Sequence, residues 1–166
     1  MGEARRRELS VPSQTASLVQ VRHAVLELVK DGPFASGQAQ LLALAVDEAL
    51  ANVVEHAFAR DGSAAAQQIH VLLEAAPDRF LALIRDSGRR FDPTSLPDVD
   101  IRRHVRQGRK SGFGIYLIRR IMDEVRYTYT PDRLNELRLV KYADRRARGA
   151  QTRQPQRQEG VSQRCP

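Results

Sequence analysis

The sequence predicts an α/β fold, a two-layer sandwich in which a mixed but mostly antiparallel sheet is covered on one face by about three helices. Short runs with strand-like patterning come in pairs joined by short turns, which is typical of antiparallel hairpins. Other segments carry apolar residues at helical spacing, and such helices must bury that face against the sheet. The predicted order is β-α-α-β-β, a long loop, then α-β-β, which does not fit a doubly wound parallel sheet.

The first two elements are predicted from weak alternation and then from helical periodicity. Glu8–Val11 alternates weakly and predicts a short strand that Pro12 ends. Ser13 is a suitable N-cap for a helix whose apolar residues recur up to Val29 and which stops before Gly32.

A second helix is predicted from Ser36 or Gly37 to about Ala59, because the Asp61-Gly62 turn follows it. One face of this helix is apolar throughout and predicts a core stripe. The stripe consists of Leu42, Val46, Ala49, Leu50, Val53 and Ala57.

The second half of the chain is predicted to form two hairpins and one helix. Pro77-Asp78 suits the turn of the first hairpin, and the helix carries an apolar face that should point inward. The predicted strands are Gln67–Glu74, Arg79–Asp86, Val125–Thr130 and Leu134–Tyr142, and the helix runs from about Gly114 to Glu124 with Ile115, Ile118, Ile121 and Met122 facing the core.

Length and composition indicate one cytoplasmic domain. The 166 residues, 42% of them hydrophobic, can bury a core. No stretch has the roughly 20 apolar residues that span a bilayer, and the charged N-terminus is unlike a secretory signal. Cys165 is the single cysteine, which argues against disulfides or a metal cluster and fits a reducing compartment.

The positive charge is concentrated in a C-terminal tail. The chain carries +7, and residues 144–166 contribute +4 of it through six arginines set against Asp144 and Glu159. This segment has no apolar period, so we expect a folded domain over residues 1–143 and a basic, disordered tail over residues 144–166. With aromatics at only 5%, the folded part lacks the pattern of a nucleic-acid surface, which argues against direct nucleic-acid binding.

The polar face of the second predicted helix is the first candidate site. Glu48 and Asn52 lie one turn apart on it, with Glu55 and His56 nearby, and residues 41–59 contain no Lys or Arg. A solvated helix face would explain the acids, but a mid-helix Asn gains little unless its amide binds something. An acid and an amide one turn apart suit Mg²⁺, which takes oxygen ligands.

Two glycine turns complete the candidate site. Asp86 ends a strand and can accept a hydrogen bond from an exocyclic amine, while Gly88 permits close approach of a planar base; a plain Asp-Ser-Gly turn is the alternative. Gly112 and Gly114 precede the third predicted helix, whose free amides favour an anion, and Arg109 and Lys110 add positive charge beside them. A flexible helix cap is the alternative there.

These motifs, taken in their order, resemble the ATP-binding (Bergerat, or GHKL) fold shared by DNA gyrase, histidine kinases and MutL. The resemblance covers roughly residues 8–142. It is most similar to the anti-sigma factor serine kinases of the RsbW type, through VDEALANVVEHAF, DSGRRFDP, GFGIYLIRRIMDEV and NELRLVK.

The resemblance implies roles for individual residues. Glu48 would be the catalytic general base toward a serine hydroxyl, Asn52 would ligate Mg²⁺, Asp86 would bind the adenine amine, and Gly88 would shape the base pocket. Residues from about Ser95 to Ser111 would form an ATP lid. Arg90 departs from the small residue that many relatives have, which leaves open whether it reaches a phosphate or solvent. The remaining ATP-binding residues would be Arg109, Lys110, Ser111, Gly112, Phe113, Gly114 and Ile115.

The implied partners are a sigma factor and a STAS-type anti-sigma factor antagonist whose serine is phosphorylated. The resemblance also allows a homodimer paired through the N-terminal region. Three alternatives stay open: a histidine-kinase-type catalytic domain, an ATP-dependent switch without kinase activity, and an interaction domain that binds no nucleotide. Against the first, His23 is the only upstream histidine, and Ala24-Val25 follow it directly rather than an acidic residue.

Overall fold

The computed structural model describes residues 3–34, 36–57, 67–95, 113–130 and 134–144. Within them the predicted order of strands and helices is confirmed. The elements are β1 (Arg5–Pro12), α1 (Ala16–Val29), α2 (Ser36–Asn52), β2 (Gln68–Ala75), β3 (Arg79–Asp86), α3 (Phe113–Ile121), β4 (Glu124–Tyr129) and β5 (Asn135–Tyr142).

The five strands form one sheet in the order β1-β2-β3-β5-β4. Each of these four pairings is antiparallel. Because β5 lies between β3 and β4, the last residue of β3, Asp86, pairs with Asn135, and Asn135 in turn pairs with Tyr129. The sheet order therefore brings Asp86 next to Asn135 and Tyr129, at one end of their strands.

The core lies between the helices and alternate residues of the strands. Phe80, Ile84 and Leu139 from the sheet are fully buried, as is Ile118 from α3. The predicted apolar faces of the helices are confirmed, apart from Ala57, whose side chain lies outside the description. The buried helix residues are Leu42, Val46, Ala49, Leu50, Val53, Ile115, Ile118, Ile121 and Met122.

The predicted start of α1 is wrong. Thr15, not Ser13, occupies the N-cap position, and its side chain makes no capping hydrogen bond. The N–H of Ser13 donates to the carbonyl of Gln67 at 2.9 Å, which extends the pairing of β1 with β2 beyond Pro12. Ser13 is therefore held by the sheet and lies two residues before the N-cap position.

The predicted C-terminal ends of α2 and α3 are also displaced. The α-helical part of α2 ends at Asn52, and the chain continues as a π-helical turn over Val53–Ala57. Helix α3 ends at Ile121 rather than Glu124, because the N–H of Asp123 donates to the carbonyl of Val140 at 2.8 Å and joins the sheet.

Among the described residues, no helix combines the length and the apolar character needed to cross a membrane.

Candidate functional site

Helix α3 packs directly on the polar face of α2 at Gly114. A Cβ atom placed on Gly114 would lie 2.5 Å from Oε2 of Glu48 and 3.5 Å from its Cδ. Real Cβ atoms essentially never come within 3.0 Å of a neighbour, so a glycine lets the first turn of α3 lie against this carboxylate as it stands. The predicted acid and the predicted glycine turn are thus brought together, although 65 residues separate them in the chain.

The environment of Glu48 changes its acidity. Partial burial raises the pKa of its carboxyl above the ordinary value, and the negative charges of Asp47 and Glu55 raise it further. Each of these effects disfavours the ionised form. A carboxylate with a raised pKa is a better proton acceptor than an ordinary one, which suits the role of a general base.

Asn52 is the last α-helical residue of α2, directly before the π-helical turn. Its amide nitrogen Nδ2 is buried and has no hydrogen-bond partner among the described residues. A buried amide N–H group without an acceptor costs free energy, and such groups in native structures call for an explanation. π-Helical turns are frequent at functional sites. Both observations indicate that the end of α2 is built for a ligand.

Asp86 is buried at the end of β3, with a relative exposure of 4%. Its Oδ1 atom accepts two hydrogen bonds, both at 2.8 Å, from the backbone N–H of Gly88 and from Nδ2 of Asn135. Burial raises the pKa of this carboxyl, although the two hydrogen bonds act in the opposite direction. Among the described residues no donor reaches Oδ2, which leaves this oxygen able to accept a hydrogen bond from a ligand.

Asn52 and Asp86 line the same cavity. Its walls also include Phe91, Tyr127 and Asn135. The cavity measures about 20 Å³, which is room for about one water molecule. The residues predicted for a base pocket therefore lie together, but the cavity between them is small.

The segment after Gly88 forms the closing wall of this cavity. The ring of Phe91 stacks on the ring of His56 in the π-helical turn, with centroids 4.2 Å apart and planes at 27°. Arg89 is exposed and also lines the cavity. This wall therefore consists of residues that follow β3 and does not belong to a strand or to α2.

Arg90 is the residue whose direction the sequence left open, and it does not line the cavity. Its guanidinium lies over the ring of Tyr129 on β4, 5.4 Å from the centroid, where a cation–π contact is favourable. In this conformation Arg90 is directed to the edge strand of the sheet.

The turn that leads into the predicted lid is held by hydrogen bonds of its own and by one from α3. Oδ1 of Asp92 accepts hydrogen bonds from the backbone N–H of Thr94 at 2.8 Å and from its hydroxyl at 2.6 Å. Arg119 of α3 donates to the carbonyl of Thr94 at 2.9 Å. The 3₁₀ turn Pro93–Ser95 is thereby anchored, and Ser95 is the only predicted lid residue that the structure describes.

Part of the predicted phosphate site lies outside the described residues, namely Arg109, Lys110, Ser111 and Gly112. Phe113, Gly114 and Ile115 form the first turn of α3. The side chain of Ile115 is buried in the core, so only its backbone is available to a ligand.

A family model described as the histidine kinase-like ATPase domain matches residues 11–141. The chain belongs to this family. Its match extends from the end of β1 nearly to the end of β5, and so it includes Glu48, Asn52, Asp86 and Gly114.

Relatives within this family are similar over most of the chain. The serine-protein kinase RsbW of Bacillus cereus (strain G9842) is 25% identical over 142 residues, which cover 83% of this chain and 85% of that protein. The RsbW-like resemblance seen in the sequence is confirmed.

Two solved structures share the fold. The RsbU and RsbW domains of Rv1364c from Mycobacterium tuberculosis superpose with a TM-score of 0.57 at 15% identity, over 82% of this chain and 32% of that one. The SiaB–SiaC complex from Pseudomonas aeruginosa gives a TM-score of 0.55 at 14% identity, over 82% and 89% of the respective chains. The α/β sandwich predicted from the sequence is therefore confirmed.

Two residues of the site were not predicted from the sequence as site residues, Asn135 and Tyr127. The hydroxyl of Tyr127 donates to Oδ1 of Asn135 at 2.5 Å, and Asn135 binds Asp86. A polar residue at the start of a central strand was the available signal, because Asn is unfavourable in strands unless its amide is hydrogen-bonded.

Proposed function

We propose that this protein is an ATP-dependent serine protein kinase that acts as an anti-sigma factor in the cytoplasm. It would transfer the γ-phosphoryl group of Mg·ATP to a serine of a STAS-type antagonist and would sequester a sigma factor. The observation that carries the proposal is the contact between Gly114 and Glu48. It joins the helix start that suits phosphates to the carboxylate that suits a general base.

The residues present fit a nucleotide. Oδ2 of Asp86 can accept the exocyclic amine of adenine, and the unpartnered Nδ2 of Asn52 in the same cavity can donate to a ligand acceptor. The cavity of about 20 Å³ is too small for a purine, so the ring of Phe91 would have to move when the base enters. Its stacking partner His56 is exposed, so this ring contact lies at the surface and not in the core.

The residues present also fit magnesium. The amide oxygen of Asn52 is a neutral ligand of the kind Mg²⁺ takes, and the ion keeps waters and substrate phosphates as its other ligands. Bound Mg²⁺ would neutralise charge on the phosphates during transfer.

Glu48 would act on the attacking hydroxyl. Its carboxylate accepts the serine proton while the serine oxygen bonds to the γ-phosphorus and the bond from that phosphorus to the bridging oxygen of ADP breaks. The first turn of α3 supplies backbone N–H groups next to this carboxylate, where the phosphates would lie. Since phosphoryl transfer depends mainly on positioning and charge neutralisation, this proximity is more important than base strength.

The proposal is tested by substituting Glu48→Gln, which keeps the shape of the side chain and removes the base. With the protein's own antagonist and labelled ATP, we expect transfer to fall by about 10²- to 10⁴-fold. The affinity for Mg·ATP should stay within a few fold. The control is Glu27→Gln on the exposed face of α1, which should behave as wild type.

Unchanged transfer in Glu48→Gln would exclude the assigned role of that residue. Magnesium dependence is tested with Asn52→Ala in an ATP titration with and without EDTA; the variant should lose the difference between the two. If the wild type binds Mg·ATP but phosphorylates no antagonist, a non-catalytic ATP switch would replace the kinase proposal.

A further inference from the structure

A chain of hydrogen bonds runs behind Asp86. The hydroxyl of Tyr127 donates to Oδ1 of Asn135 at 2.5 Å. The amide nitrogen of Asn135 then donates to Oδ1 of Asp86 at 2.8 Å and to the carbonyl of Gly88 at 3.1 Å. The three hydrogen bonds come from three separate segments of the fold, which meet only because β5 lies between β3 and β4.

This arrangement permits only one orientation of the Asn135 amide. Both hydrogens of Nδ2 face acceptors, the carboxylate of Asp86 and the carbonyl of Gly88. If the amide were rotated by 180°, its oxygen would face these two acceptors, and neither could be satisfied. Asn135 is 3% exposed, so water cannot replace a lost bond easily.

As a consequence, Oδ1 of Asp86 has both of its hydrogen bonds made within the protein, and Oδ2 is held in one position. Oδ1 receives the bonds from Gly88 and Asn135, so the carboxylate plane cannot rotate and Oδ2 keeps its place. We propose that Asn135, itself oriented by Tyr127, is a positioning residue that holds Asp86 as a fixed hydrogen-bond acceptor and so selects adenine over guanine nucleotides. This inference rests on the nucleotide-binding function proposed above.

The selection follows from the edge of the base. Adenine presents an amine donor at the position where guanine presents a carbonyl acceptor. A fixed carboxylate oxygen accepts a hydrogen bond from the amine of adenine but repels the carbonyl oxygen of guanine. A site with a buried hydrogen-bond acceptor strongly rejects a ligand that offers no donor to it. A carboxyl that can turn or retain a proton loses this discrimination, because a protonated carboxyl donates to the guanine carbonyl.

The test is Asn135→Asp, which has nearly the same shape but replaces the two N–H donors with a carboxylate. Two carboxyl groups side by side cannot both ionise easily, so the pair retains a proton. We expect the affinity for Mg·ATP to fall by about 10- to 100-fold, the effect of losing a hydrogen bond to a charged group. The affinity for Mg·GTP should fall less, so the ratio of ATP affinity to GTP affinity should fall by about tenfold or more.

A second variant covers the case in which Asn135→Asp fails to fold. Tyr127→Phe removes only the hydroxyl that orients Asn135, and we expect it to lower the ratio of ATP to GTP affinity by about three- to tenfold. The matched control is Tyr129→Phe, two residues along the same strand, whose ring carries the Arg90 contact and whose hydroxyl is not part of the chain. Its ratio should equal that of the wild type.

Different results would refute the proposed function and the role of Asn135. If the wild type binds neither nucleotide, the proposed function is wrong. If the wild type prefers ATP and Tyr127→Phe, folded as judged by thermal unfolding, keeps that preference unchanged, the role of Asn135 is refuted. A general loss of stability with an unchanged ratio of affinities would show that the network is structural only and would equally refute the inference.

Discussion

The substitution Gly114→Ala tests the contact on which the proposed function depends. It adds one methyl group to the first turn of α3, and this methyl would lie 2.5 Å from Oε2 of Glu48. The other two nearest atoms, Cδ and Cβ of Glu48 at 3.5 and 3.6 Å, are at ordinary contact distance. The conflict is therefore confined to one carboxylate oxygen.

The carboxylate, and not the helix, should move. Helix α3 is held by Ile118 and Ile121, which are 1% and 8% exposed in the core. An ordinary contact begins near 3.4 Å, so Oε2 has to shift by about 0.9 Å. A misplacement of about 1 Å at a reacting group can reduce the rate by about 100-fold, and we expect kcat for phosphotransfer to fall by about 10- to 100-fold.

The free energy of unfolding should change little, and it should rise while kcat falls. Alanine is favoured over glycine in a helix interior by about 1 kcal/mol, and less in the first turn. The assay therefore combines steady-state phosphotransfer with urea unfolding of the same protein. Gly37→Ala in α2 is the matched control, because a Cβ there meets nothing within 4 Å; it should keep full activity.

Two results would refute this reasoning. The first is a kcat for Gly114→Ala within twofold of the wild type, while Glu48→Gln is inactive. The position of the Glu48 carboxylate during transfer would then not depend on its contact with Gly114. The second is a large loss of stability, which would mean that α3 and not the carboxylate had moved.

Three further predictions concern carboxyl groups. Asp86→Asn should weaken Mg·ATP binding by about tenfold or more, yet raise the free energy of unfolding at pH 7, because burial raises the pKa of Asp86 and the fold disfavours its ionised form; calorimetry would measure both, and a destabilised variant would contradict it. Glu55→Gln removes a negative charge that raises the pKa of Glu48, so the acidic limb of the pH–rate profile should move to lower pH; an unmoved limb would contradict it. Arg22→Gln removes the 2.5 Å ion pair with buried Asp47 and should lower the free energy of unfolding at pH 7 by roughly 1–2 kcal/mol. The pKa of Asp47 is raised in the fold and is raised further without Arg22, so this loss should be full above the folded pKa of Asp47 in the variant and should disappear as pH falls below its folded pKa in the wild type. Urea unfolding at several pH values measures it.

The sequence alone determined the elements and their buried faces. Alternation over β2 and β3 and helical spacing over α2 and α3 are local patterns, and a pattern with a period of 2 or 3.6 residues buries only one face. The apolar residues predicted for α3 are therefore the buried ones. The motif order also brought Glu48 and Gly114 into one hypothesis, and the contact between them agrees with it.

Element ends were predicted less well, because they depend on partners elsewhere in the chain. Ser13 has the side chain of an N-cap, but its N–H binds the carbonyl of Gln67 in the neighbouring strand. Asp123 could continue α3, but its N–H binds the carbonyl of Val140. In both cases a hydrogen bond of the sheet outweighs the local helix signal.

Only the tertiary structure decided how Asp86 is held and how open its cavity is. The insertion of β5 between β3 and β4 places Asn135 and Tyr127 behind Asp86, and no local pattern encodes that order of strands. The stacking of Phe91 on His56, which narrows the cavity, joins segments from opposite sides of the site. Such contacts depend on which strands pair and where the helices cross, and these are properties of the whole packed chain.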